Sequence, residues 1–402
     1  MQGSMVVKVM SAMAALVFIS ALALMVYRSE GASLNWQMGE NNPVLEFYPA
    51  GDDLYVISSS NISMVDDTGK SLWTIPFNGT QYSAMGNNGQ IYVYSAALGL
   101  NVISPAGNIS LLTRQGMNHP PIVGPDGTLY LRSWSVLSAI SPLGKDEWNV
   151  SNVISDPVID GPGNIYFFMR SPDNLSDVYL YCIGPDGTTH WAIDYQNYYA
   201  STSLMSASSG GILVYDDTMG TLVHMDENGN TTWDRSMTYL GQYDLVEDTN
   251  DQLYMFYLWG TVLVLDDNGT PISKFNPVIT YGANLSYQPA AYNDTVYVVG
   301  DSKSPDSMVL YALNVDGTLK WKQQLNSSVS PSISAANGIL CFNTEVKEGG
   351  KLTPTLYVLD DDGKVTYTYK SGDGSLWQQI YIDKSDTVYA LASNGRLYAL
   401  KG

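Results

Sequence analysis

Two cysteines and three histidines are all that 402 residues contain of the side chains that dominate zinc binding and thiol catalysis. Cys182 and Cys341 lie in apolar, strand-like runs in repeats that are not neighbours, so both read as core thiols without a disulfide. His119, His190 and His224 are far apart and lack the paired spacing of a zinc site. Basic residues are also scarce: 19 Lys and Arg stand against 39 Asp and Glu, a net charge of -20 that repels a phosphate backbone. Nucleic acid is excluded as an expected partner, and the acidity reads mainly as solubility.

Charged residues of both signs make up only 14% of the chain, too few for a set of amphipathic helices. There is no glycine-rich phosphate loop and no nucleophile elbow. The acidic runs Asp360-Asp361-Asp362-Gly363 and Asp266-Asp267-Asn268-Gly269 have consecutive acids where a calcium loop alternates its ligands, so they read as turns. No catalytic, cofactor or metal residue is assigned.

What is abundant is Tyr (29) and Gly (36), the composition of half-buried strands joined by tight turns. One long apolar run exists, Val9 to Val26, with Lys8 before it and Arg28 and Glu30 after it. Its length suits a bilayer-spanning helix, and an uncleaved anchor is favoured over a cleaved signal because the best small-residue site, Gly31 to Ser33, lies beyond charged residues. The expected division is a short segment 1–8, an anchor 9–27, a linker 28–33 and one domain 34–402 outside the cytoplasm. N-glycosylation sequons at Asn61, Asn78, Asn108, Asn149, Asn174, Asn230, Asn268, Asn284, Asn293 and Asn326 agree with a cell-surface glycoprotein.

The domain repeats. An apolar-Tyr step recurs at Leu54-Tyr55, Ile91-Tyr92, Leu129-Tyr130, Ile165-Tyr166, Leu253-Tyr254, Val296-Tyr297 and Val388-Tyr389, with Ile212-Leu213 and Ile339-Leu340 in corresponding places. After each comes an apolar strand, an acidic turn with Gly and another strand, as in VDDTGKSLW and IGPDGTTHW. Each unit reads as four antiparallel strands, A to D, and the series as an all-β propeller. The chain ends after a strand C, GRLYALKG, whereas SLNWQM near the N-terminus is a strand D without its unit. Pairing the two closes a ring of nine blades, or eight if one weak unit is degenerate.

LYALNVDGTLKW and the terminal GRLYAL resemble the repeats of pyrroloquinoline-quinone-like (PQQ-like) propellers, as does the Gly-x-x-x-Trp step at Trp73, Trp148, Trp191, Trp233 and Trp321. The resemblance implies that these Trp residues dock adjacent blades. Three units depart from it, with Leu111, Ser273 and Tyr367 at the Trp position. The family includes quinoprotein dehydrogenases, which makes PQQ-dependent catalysis the alternative function. It also includes non-catalytic scaffold proteins, to which this chain is closer, since it lacks an adjacent cysteine pair and an assignable calcium-quinone set.

With no cofactor expected, function falls to the surface. The connections from strand D to the next strand A supply Tyr195, Tyr198, Tyr199, Tyr239, Tyr243, Tyr281 and Tyr287 among Ser, Asn and Gln, a composition suited to binding. Longer B-to-C insertions at 170–177, 300–307 and 343–354 fall on the same face. The expectation is a membrane-anchored module that binds or scaffolds cell-surface protein or glycan partners.

Overall fold

The computed structural model describes residues 33–195, 202–216, 221–236, 242–248, 250–257, 260–284, 289–301, 307–325, 332–336, 338–348, 351–372 and 374–401. The expected membrane anchor lies outside them. Among the described residues no helix is long and apolar enough to cross a membrane.

Nine four-stranded antiparallel sheets follow one another along the chain. We number them as blades I (44–76), II (82–113), III (122–150), IV (158–194), V (202–236), VI (242–275), VII (290–325), VIII (332–370) and IX. Blade IX is composite: Trp377–Ile382, Val388–Ala392 and Leu397–Lys401 provide strands A to C, and Ser33–Met38 provides strand D. Ser33 pairs with Lys401 and Met38 with Leu397, so the two chain ends share one ladder and strand C of blade IX is paired on both sides.

The apolar-Tyr step follows from strand periodicity. Successive side chains of a strand point to opposite faces, and strand B has a neighbouring blade on each side. Leu54 and Val56 therefore pack into the seam with blade IX, while Tyr55 and Ile57 pack into the seam with blade II. Ile165 and Phe167 against Tyr166 and Phe168 repeat the division in blade IV. The core is accordingly a ring of inter-blade seams with no single centre, each an apolar cluster from two blades.

The acidic runs are turns. Asp266 Oδ1 accepts the backbone N–H groups of Asn268 and Thr270, and Asp360 Oδ1 those of Asp362 and Lys364. Asp66 and Asp226 hold their turns in the same way, and bonds from the Thr68 hydroxyl and the Asn230 amide, with those from the backbone N–H groups, keep both carboxyls below the usual range.

Antiparallel connectivity puts the A–B and C–D turns on one side of the ring, the turn face, and the B–C and D–A connections on the other, the loop face. The insertion at 343–354 differs from a loop: Ile339–Glu348 and Lys351–Asp360 pair continuously out to Glu348 and Lys351. Strands B and C of blade VIII simply run on as a ribbon beyond the sheet.

Candidate binding surface and blade seams

Each docking Trp serves two blades. Inside its own blade it meets the strand-B tyrosine, with ring centroids 5.8 Å apart for Tyr55 and Trp73, 5.8 Å for Tyr130 and Trp148, and 6.0 Å for Tyr297 and Trp321. Across the seam it lies on the C–D turn of the next blade. Trp73 Nε1 donates to Pro105 O at 2.8 Å, Trp148 to Pro185 O at 2.8 Å, Trp191 to Glu227 O at 2.9 Å and Trp321 to Asp361 O at 2.8 Å. The accepting carbonyl is always two residues before the turn glycine, and the indole covers that glycine. A Cβ at Gly187 would fall 2.7 Å from Trp148, so only glycine leaves room for the ring.

The Gly-x-x-x-Trp spacing therefore does not pair a glycine with the Trp four residues later. Each Trp takes the glycine of the following blade. Trp36, which the sequence reading leaves outside the docking set, does the same: its Nε1 donates to Asp67 O and its ring covers Gly69. Its register in strand D, opposite Ala399, is the signal that could have added it.

The departures have separate solutions. At the seam of blades VI and VII, the Ser273 hydroxyl donates to Val315 O, the equivalent carbonyl, and Phe275 covers Gly317. Two residues divide the work of one indole. Between blades II and III the main chain of Leu112 itself lies against Gly144. Tyr367 has no C–D turn to meet, because strands C and D of blade IX come from opposite ends of the propeller, and it is buried with Trp377 and Tyr398 instead.

In blade V, which has Leu213 where seven other blades have Tyr, His224 takes the place against Trp233, stacked at 5.5 Å. His224 is buried, with Nδ1 2.5 Å from Thr232 Oγ1 and Nε2 2.9 Å from Gly210 O. This pair lines a turn-face cavity of about 450 Å3 together with Ser209, Asp226, Glu227 and Asp267.

Two of the expected surface tyrosines are seam residues. Tyr195 packs on Phe168 with centroids 5.1 Å apart, and burial pushes its hydroxyl up to about 12. Tyr281 ends the short helix Pro277–Tyr281; its hydroxyl donates to Gly317 O and its carbonyl accepts from Tyr311 Oη. Both are half-buried, with each ring set partly into a gap between blades. Tyr198, Tyr199, Tyr239 and Tyr287 lie outside the described residues, as does the side chain of Tyr243. The loop face does carry exposed apolar tips that sequence reading passed over, Leu98, Trp134 and Leu175. No periodic signal marks them, since a turn residue belongs to no stripe.

Sequons occupy both faces. Asn78 and Asn174 are exposed on the loop face, Asn108, Asn230, Asn268 and Asn293 on the turn face, and Asn149 on an outer strand. Asn61 and Asn284 are half-buried. Asn326 is outside the described residues. Cys182 and Cys341 are both free and buried. Burial pushes each thiol up to about 12, so neither is a thiolate near neutrality. Among the described residues His, Cys, Asp and Glu form no cluster fit to hold a metal ion.

Residues 259–402 match the family model described as outer membrane protein assembly factor BamB. The same strand-D docking on the next C–D turn continues through blades outside that stretch, from Trp36 to Trp191. Over that stretch the chain is similar to the PQQ-like repeat propellers. The propeller has the fold of solved structures at low identity. One, the eukaryotic initiation factor, is 10% identical over 82% of this chain and 89% of that chain, with a TM-score of 0.63. The C-terminal WD40 domain of Sif2 is 10% identical over 92% of this chain and 98% of that chain, with a TM-score of 0.53. BamB from Moraxella catarrhalis is 12% identical over 92% of this chain and 100% of that chain, with a TM-score of 0.47. No curated protein sequence matches the propeller.

Proposed function

We propose that this PQQ-like propeller is a membrane-anchored, extracytoplasmic scaffold that holds protein or glycan partners on its loop face. The observation that carries the reading is the direction of Ser33–Met38. Ser33 pairs with Lys401, so this strand D starts at the turn face and runs toward the loop face. Whatever precedes Ser33 departs from the turn face. With Val9 to Val26 as the anchor, six residues remain between Val26 and Ser33, a reach of roughly 20 Å at full extension. The turn face then lies toward the bilayer and the loop face away from it.

The use of reactive groups in the fold supports a binding role over a chemical one. Both thiols are neutral core residues. The turn carboxylates accept backbone N–H groups, and Tyr166 Oη donates to buried Asp160. Connections with binding composition sit on one face, where loops are free to vary without disturbing the seams.

The buried native thiols give a clean background for a labelling test. Asp173→Cys on the loop face and Leu143→Cys on the turn face are treated with a membrane-impermeant maleimide in intact cells. Asp173→Cys should label at once and Leu143→Cys more slowly. Labelling of neither until the membrane is permeabilised would overturn the location, and faster labelling of Leu143→Cys would invert the orientation.

A further inference from the structure

Three consecutive blades each raise an apolar side chain at the tip of their B–C connection. Leu98 in blade II is 40% exposed, Trp134 in blade III 80% and Leu175 in blade IV 58%. Trp134 is the informative member. It is the first residue of the two-residue turn between Ser133 and Val136, and its φ is +54°. Every other non-glycine residue with positive φ among those described is Asn or Asp, whose short polar side chains tolerate that conformation. A bulky Trp there is strained, and a ring four-fifths exposed recovers no burial in return. The fold gains nothing from Trp at this position. The turn is nonetheless braced: Asn118 Oδ1, from the preceding inter-blade connection, accepts the Trp134 N–H at 2.7 Å.

Each tip also has an arginine beside it. The Arg114 Cα lies 3.4 Å from where a Cβ on Gly99, next to Leu98, would stand. Arg132 is two residues before Trp134, and Arg170 Nη1 donates to Leu175 O at 2.6 Å. These are three of the six arginines in the chain. The acids of this region are Asp156, Asp173, Asp177 and Asp194. Asp156 is paired with Arg132 Nη1 at 2.5 Å and with His119 Nδ1 at 3.0 Å, and Asp177 accepts from Asn174. In a molecule of net charge -20, this patch is near neutral and has Arg114 and Arg170 exposed at its two ends. Trp and Arg are also the side chains that most often carry interface energy.

We propose that the loop-face tips of blades II to IV, centred on Trp134, dock an acidic protein partner. An apolar pocket of the partner takes the Trp134 ring, Leu98 and Leu175 extend the contact along the row, and the partner's carboxylates meet Arg114 and Arg170. The proposal rests on the scaffold reading and names the surface and the class of partner.

The test uses the full chain in detergent with three immobilised probes: peptides alternating Leu or Phe with Asp or Glu, the same peptides with Lys in place of the acids, and an oligosaccharide array. Trp134→Gly is the deciding variant. Glycine relieves the positive φ, so its melting temperature should equal or exceed that of the wild type while affinity for the acidic peptides falls at least tenfold. The double change Arg114→Glu with Arg170→Glu should cause a similar loss, weakening further as salt falls. Equal binding by Trp134→Gly, equal binding of the Lys peptides, or Trp134-dependent binding of the oligosaccharides alone would overturn the proposal. Native electrophoresis of membrane extracts separates it from the scaffold reading. A wild-type complex that dissolves in Trp134→Gly supports both. One that survives in Trp134→Gly overturns this surface and leaves the scaffold standing, and a wild-type chain that migrates alone overturns both.

Discussion

Trp36 lies across Gly69, one from the strand that opens the propeller and the other from the C–D turn of blade I. Its Nε1 donates to Asp67 O at 2.8 Å, and on its other side the ring meets Tyr389 of the last blade, with centroids 5.9 Å apart. One side chain thus ties the first strand, the first full blade and the final blade together. The ring closes through this contact as well as through the ladder from Ser33 to Lys401.

Removing the contact should loosen the closure. Trp36→Ala should lose about 2–3 kcal/mol, below the usual cost for a fully buried Trp because this ring is half-exposed. Deleting Ser33–Met38 should cost more and promote self-association, since it strips the partner from strand Leu397–Lys401 and leaves an open edge. Urea unfolding and light scattering measure both. A deletion as stable and as monomeric as the parent would refute closure by the terminal strand.

Gly69 and Gly51 separate strain from contact. Both have positive φ, +83° and +73°, so Ala at either carries a left-handed penalty of roughly 1 kcal/mol. A Cβ at Gly51 meets nothing within 4 Å, whereas at Gly69 it falls 2.5 Å from the Trp36 ring. Gly69→Ala should therefore be clearly the more destabilising in denaturant titration. Equal losses would mean that the indole does not rest on the glycine.

Trp321 and Trp233 differ in one hydrogen bond. Trp321 Nε1 donates to Asp361 O at 2.8 Å, while Trp233 Nε1 is buried without a partner among the described residues. Phe keeps most of the ring and removes the donor. Trp321→Phe should cost about 1–2 kcal/mol more than Trp233→Phe, because only the first change breaks a bond. Equal losses in chemical denaturation would remove the bond from the account of the seam.

Alkaline pH should weaken the fold before the surface responds. Burial pushes Cys182 and Cys341 up to about 12, from 9.0, and Tyr55, Tyr195 and Tyr297 up to about 12, from 10.0. Between those limits the unfolded chain releases protons that the folded chain retains, so stability declines as pH rises. The melting temperature should be flat near neutrality and fall steadily from about pH 9 toward pH 12. Replacing both cysteines with Ala should delay the onset to the tyrosine range near pH 10. A melting temperature that holds through pH 11 would contradict the burial of these groups.

The blade count, the strand order and the closing pair were legible in the chain itself. Their causes are local: a strand alternates with period two, an Asp-x-x-Gly segment such as Asp66 to Gly69 forms a turn within a few residues, and a strand D without a strand C needs the far end of the chain. The consecutive acids at 266–267 and 360–362 were legible as turns for the same reason. The seams were not. Spacing joined Gly69 to Trp73, yet the structure sets Trp36 on Gly69 and Trp73 on Gly107, because docking runs between blades and sequence distance within one blade says nothing about it. The same reason hid the division of one indole's work between Ser273 and Phe275, the use of His224 where a tyrosine is missing, and the partial burial of Tyr195 and Tyr281 in the seams. Period and turn chemistry act along the chain and determined the blades; packing acts across it, and only the closed ring decided which side chains meet and which, like Trp134, are left facing outward.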